Sequence, residues 1–160
     1  MQLYLIRHAE KQTALHDDPE LSNRGLLQAK KMPEYFENRK LPWPDQIFCS
    51  TKIRTQQTMQ ILAQERGLSL HITEDLEEKS SLETPLEFET RVEKKLNSLK
   101  EGAVSCLCSH YDWVIVASQI LLQQKFMHYG ACHHWPAGQV ILFEKKDDVF
   151  QVKDYGVVTI

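Results

Sequence analysis

Three places in the sequence bring together side chains suited to a negatively charged guest. Arg7-His8 follows the apolar run 3–6 (LYLI), Ser50 and Arg54 come at and after the end of 46–50 (QIFCS), and Ser109-His110 comes at the end of 103–109 (AVSCLCS). A guanidinium is a planar fork of fixed charge that matches phosphate oxygens two at a time. An unprotonated imidazole is a nucleophile or a proton carrier. Two of each beside helix N-termini would make a compact anion site with a nucleophile inside it, and a phosphoryl group is the natural guest. Singly these residues say little; their arrival at successive strand ends gives the set its meaning.

They meet only if the strands that carry them are parallel neighbours. The runs 3–6, 46–50 (QIFCS), 68–72 (LSLHI), 103–109 and 139–144 (QVILFE) predict strands, several too continuously apolar for half-exposed antiparallel ones. Helical periods lie between them. Ser22 can cap a helix over 22–39, in which Pro33 predicts a kink or a split. Residues 53–66 read as a helix stopped by Gly67, and 111–124 as a strongly apolar one. Thr84-Pro85-Leu86-Glu87 has capping-box spacing, and Phe88, Val92, Leu96 and Leu99 mark the buried face of the helix it starts. Near the end, VILFE and VFQVK flank KKDD and predict a hairpin. The alternation predicts an α/β fold, a three-layer sandwich with a mostly parallel central sheet and helices on both faces, binding ligands outside the carboxyl ends of the strands.

With 160 residues, 42% hydrophobic and 26% charged, the chain fits a single domain spanning 1–160, without repeats or linkers; LPWPD (41–45) is a rigid turn. A net charge of −3 gives no reason to expect nucleic acid or a membrane surface as the main partner. No run approaches the ~20 apolar residues of a membrane span, and MQLYLIRHAE lacks the features of a signal peptide, so the cytoplasm is the expected compartment. Cys49, Cys106, Cys108 and Cys132 read as small buried hydrophobes in a reducing compartment. His128, Cys132, His133 and His134 are potential metal ligands, yet their spacing fits no familiar zinc pattern, and a loop beside the pocket or a surface turn is the expected reading.

The sequence resembles the histidine phosphatase superfamily, whose phosphoglycerate-mutase-like members carry Arg-His after the first strand. LSNRGLLQA (21–29) is similar to the Leu-Thr-x-x-Gly-x-x-Gln-Ala segment, STKIRTQQT (50–58) to Ser-x-x-x-Arg-Ala/Thr-x-Gln-Thr, and CSH (108–110) to the second-histidine motif, in family order. The resemblance implies a phosphoglycerate-mutase-like fold and a phosphatase with His8 as nucleophile and Arg7, Arg54 and His110 around the phosphoryl oxygens. It adds Ser22 to the substrate-binding candidates and implies neither metal nor cofactor. Flanking cations would disfavour the imidazolium of His8 and keep its ring ready for attack. The family takes the leaving-group proton from the loop after the third strand, here Asp75-Leu76-Glu77-Glu78; Leu-x-Glu spacing favours Glu78 over Glu77, while an acidic surface turn remains the alternative. Trp135-Pro136-Ala137-Gly138 resembles the family loop that approaches the phosphate with backbone N–H groups.

Departures from the pattern bear on the substrate. Ala9 stands where glycine is usual, and the asparagine of mutase-type Arg-His-Gly-x-Thr-x-x-Asn is missing. Tyr111 and Asp112 follow His110 where small residues are frequent, which predicts a narrower mouth, with Asp112 capping the next helix. The short chain is most similar to SixA-type phosphohistidine phosphatases, which implies a protein phosphohistidine or a small phosphomonoester as substrate. A phosphate-recognition module without turnover is the alternative, and phosphoglycerate mutase the reading these departures disfavour. Nothing in the sequence sets an oligomeric state.

Overall fold

The computed structural model describes residues 1–13, 16–123 and 135–160. In chain order these form β1 (Gln2–Arg7), α1 (Asn23–Asn38), β2 (Gln46–Cys49), α2 (Ile53–Arg66), β3 (Leu70–Ile72), a single 3₁₀ turn (Glu74–Leu76), α3 (Pro85–Asn97), β4 (Val104–Ser109), α4 (Tyr111–Leu121), β5 (Gln139–Lys146) and β6 (Val149–Val157). The sheet runs β3-β2-β4-β1-β5-β6. The first four strands in sequence are mutually parallel, and β5 and β6 add an antiparallel hairpin beside β1.

Alternation along each strand divides the core into two layers. Leu3, Leu5, Leu107, Ile141 and Phe143 pack with Phe88, Val92 and Leu96 of α3 and Trp113, Val114 and Ala117 of α4. Tyr4, Ile6, Cys106, Cys108, Val140 and Leu142 face the other way, onto Met32 and Phe36 of α1 and Met59, Leu62 and Ala63 of α2. The result is the anticipated sandwich. Cys49, Cys106 and Cys108 are buried free thiols within it.

The helix boundaries have local causes. Ser22 accepts from the Gly25 N–H at 3.0 Å and starts α1. Thr84 and Glu87 form a complete capping box at α3. Gly67, at φ 63°, takes the left-handed position that ends α2. Contrary to the expected break, α1 runs as one helix through Pro33. Proline removes one donor, but Pro33 lies on the same buried face as Gln28, Ala29, Met32 and Phe36, and the packing of that face against the sheet outweighs the loss. The third strand is shorter than its apolar run and the last is longer than the expected hairpin arm, with Asp147 and Asp148 at positive φ forming the turn. No helix among the described residues is long and apolar enough to cross a membrane.

Register places the functional groups. Arg7 is opposite Ser109 on β1 and β4, and Cys49 is opposite Cys108 on β2 and β4. Continuing that register, His8 and His110 leave adjacent strands level with each other, and Ser50 stands one residue earlier, level with Ser109 and Arg7.

Candidate active site

His8 continues β1 by one residue, its N–H donating to the Ser109 carbonyl at 3.0 Å. Its side chain is 4% exposed. The Nδ1 atom lies 2.7 Å from the Ala9 carbonyl, which can only accept, so Nδ1 carries the proton and Nε2 keeps its lone pair. Burial lowers the pKa to about 3, with Arg54, Arg7 and Lys11 adding smaller repulsions against the bond to Ala9. The sequence reading named only the charges; removal from water is the larger cause.

His110 occupies the N-cap position of α4, with its ring 5.4 Å from that of His8, edge on. Arg54 Nη2 lies 3.2 Å from His110 Nδ1, and His110 Nε2 lies 2.8 Å from Ser50 Oγ. A guanidinium can only donate, so His110 accepts at Nδ1 and donates from Nε2. Burial, then Arg54, lowers its pKa to about 2. Ser50 thus orients the second histidine.

Arg54, on the first turn of α2, is 1% exposed. Besides His110, it reaches Glu78 Oε1 at 2.7 Å and Asp18 Oδ1 at 3.4 Å. Arg7 donates from Nη1 to the Trp135 carbonyl, and its guanidinium carbon lies 5.1 Å from the centre of the Tyr111 ring. The Nε–H groups of Arg7 and Arg54 are buried and have no acceptor among the described residues. Buried guanidinium donors without partners are costly unless a ligand meets them, and the ligand they suit is an anion.

The two candidate acids separate. Glu78 is paired with Arg54, whereas Glu77 accepts a hydrogen bond from Thr51. The hydroxyl of Ser22, a substrate-binding candidate, donates to Glu10 at 2.8 Å while capping α1. Asp112 accepts from the N–H groups of Lys79 at 2.6 Å and Trp113 at 2.8 Å, tying the acidic loop to α4. In the Trp-Pro-Ala-Gly loop, the Gly138 N–H donates to the carbonyls of Arg7 at 3.2 Å and His8 at 3.1 Å, so that donor holds the turn. His128, Cys132, His133 and His134 lie outside the described residues.

The model of the histidine phosphatase superfamily (branch 1) matches residues 3–81, which carry Arg7, His8, Arg54 and Glu78. Over residues 3–81 the chain is similar to the histidine phosphatase superfamily. No curated protein sequence matches it. Among solved structures, the alpha-ribazole phosphatase from Shigella flexneri superposes with a TM-score of 0.77 at 19% identity, covering 100% of this chain and 98% of its own. The protein histidine phosphatase SixA in complex with tungstate gives 0.75 at 16%, covering 98% and 97%. A phosphoserine phosphatase mutant from Entamoeba histolytica, bound to phosphoserine, gives 0.75 at 16%, covering 96% and 95%. The phosphoglycerate-mutase-like fold is common to them.

Family motif residues that touch no pocket group hold the backbone beneath it. Gln28 accepts from the Glu10 N–H at 2.9 Å and donates to the Ala137 and Val158 carbonyls, both at 3.1 Å. Gln57 accepts from the Leu21 N–H at 2.8 Å, and Thr58 from the Ala9 N–H at 3.0 Å. Sequence reasoning missed Asp18, which accepts from the Ile53 N–H at 3.1 and 3.2 Å and so caps α2 from another loop. One signal was present: Lys52, at the N-cap position, has no oxygen to offer, so the acceptor had to come from elsewhere.

Proposed function

We propose that this protein is a phosphatase that works through a phosphohistidine intermediate on His8, with a protein phosphohistidine or a small phosphomonoester as substrate. The observation that carries the reading is the ring of His8, held by Ala9 with Nε2 unprotonated, beside two arginines whose buried Nε–H groups lack acceptors.

In the first step the Nε2 lone pair attacks phosphorus. The Nε2–P bond forms, the bond from phosphorus to the leaving atom breaks, and the leaving atom takes its electron pair and a proton. Glu78 is the donor for an oxygen leaving group. Substrate oxygens compete with Glu78 for Arg54, so binding frees its carboxylate to take up a proton from solvent and, as the acid, face the departing group. In the second step water attacks phosphorus and gives its proton to the Glu78 carboxylate; the P–Nε2 bond breaks, its electron pair returns to Nε2, and inorganic phosphate leaves. Arg7 and Arg54 meet the charge on the equatorial oxygens, each donor worth about 3 kcal/mol in the transition state, and His110 joins them when its Nε2–H turns from Ser50 to a substrate oxygen.

The residues that meet this charge are arginines, so turnover is expected to persist in chelator. Tungstate, the anion bound to the SixA relative, is expected to compete with substrate. Incubation with an aryl phosphate followed by rapid quench should trap an acid-labile, base-stable phosphoprotein that His8→Ala abolishes. Glu78→Gln should slow alkyl phosphates far more than aryl phosphates, whose departure needs little protonation. Stoichiometric phosphate binding without release would instead make the site a recognition module, and near-normal turnover by His8→Ala would remove the intermediate.

A further inference from the structure

Arg91, on the second turn of α3, gathers the acidic loop from below. Its Nη1 donates to the carbonyls of Asp75 at 3.0 Å, Glu77 at 3.1 Å and Glu74 at 3.4 Å, and Nη2 reaches the Glu78 carbonyl at 3.5 Å. The remaining donors form a fork on Glu83, Nε to Oε1 at 2.9 Å and Nη2 to Oε2 at 2.8 Å. One planar cation thus holds both ends of the segment 74–83, and the carboxyl of Glu78 projects from its middle onto Arg54. Three other bonds secure the same loop: Ser109 Oγ to the Leu76 carbonyl at 2.6 Å, Trp113 Nε1 to the Asp75 carbonyl at 2.8 Å, and the Lys79 N–H to Asp112 at 2.6 Å. Of the four groups, only Arg91 bonds the backbone of Glu77 and Glu78 and the far end at Glu83.

We propose that Arg91 is a positioning residue for the general acid: it fixes the backbone of Glu78, so that the carboxyl meets the leaving oxygen when substrate displaces it from Arg54. The proposal rests on the reading of Glu78 as proton donor. A misplaced acid costs rate only where the leaving group needs a proton, which separates this role from a general contribution to folding.

The test compares wild type, Arg91→Gln, Arg91→Lys, Glu78→Gln and the double variant Glu78→Gln/Arg91→Gln on an aryl and an alkyl phosphate. Arg91→Gln should lose about thirtyfold in kcat on the alkyl ester while the aryl ester stays within about threefold. Arg91→Lys, which keeps the charge and loses the fork, should fall between. With Gln already at position 78, adding Arg91→Gln should change the alkyl rate less than about twofold. Backbone hydrogen exchange in 74–80 should quicken at least about tenfold in Arg91→Gln, with β1 and β4 unaffected. Equal losses on the two esters, an unchanged alkyl rate, or unchanged exchange in the loop each overturn the role of Arg91. Wild-type protein that turns over a phosphohistidine protein but neither ester overturns Glu78 as acid and Arg91 with it, and wild-type protein active on none of the three overturns the function itself, which is a different outcome from wild-type activity lost evenly in Arg91→Gln.

Discussion

His8 stays unprotonated because protonation would place a positive ring in a buried pocket that already holds two guanidiniums, and its pKa is accordingly about 3. An ordinary imidazole would lose its nucleophile as pH falls through about 6.5. Phosphoenzyme formation, plotted against the concentration of substrate dianion, should therefore be flat from pH 8 to pH 5. A decline centred near pH 6.5 in single-turnover measurements would mean a solvated His8. The proximity of Arg7 to His8 is plain in the sequence, and so is the charge repulsion between them. Burial, the larger effect, is not, because it depends on which elements close over the strand ends. Asp18 was hidden for a similar reason: nothing in the chain distinguishes it from Asp17 until the loop is laid against the start of α2.

At the scale of elements, much was readable where local chemistry decides the outcome. Helix α2 begins and ends where spacing and Gly67 place it, and the capping box of α3 is present atom for atom. Pro33 departs from the expected break because local propensity takes no account of the packing of the face it shares. The two glycines of this region act through different causes. A Cβ on Gly25 would lie 1.9 Å from the Glu10 carbonyl oxygen, whereas one on Gly67 would meet nothing within 4 Å and suffers only from φ 63°. Gly67→Ala should cost about 1 kcal/mol in urea unfolding and leave turnover unchanged. Gly25→Ala must part α1 from the chain leaving His8, so it should cost about 3 kcal/mol and slow turnover as well. Equal destabilisation by the two substitutions would contradict this distinction.

Across the whole molecule the same histidines couple the site to stability. Both have folded pKa values depressed below the ordinary 6.5, to about 3 for His8 and about 2 for His110, so the unfolded chain binds more protons as pH falls through 6.5. The native state is therefore disfavoured progressively from pH 6.5 downward, by about 1–2 kcal/mol per histidine between pH 6.5 and pH 5. Unfolding free energies from denaturant titration at the two pH values should differ by about 2–4 kcal/mol for wild type and by about half of that for His110→Gln. The sheet that brings the histidines together was legible in outline, since apolar runs alternating with helical periods restrict the connections. Strand order was not, because β1 lies between β4 and β5 through pairings over a hundred residues apart.

The backbone of His8 has a further meaning in terms of motion. Its N–H is bonded to the Ser109 carbonyl and its carbonyl to the Gly138 N–H, so it is tied to the chain on either side, to β4 and to the loop that enters β5. The nucleophile is thus an extension of the sheet and shares its stiffness. A group anchored this way stays still while phosphorus moves onto it and off again, and the adjustment in each cycle falls on the half-exposed carboxylates of Asp18 and Glu78 as they yield Arg54 to the substrate and recover it. Turnover in such a site is an exchange of anions around a fixed post.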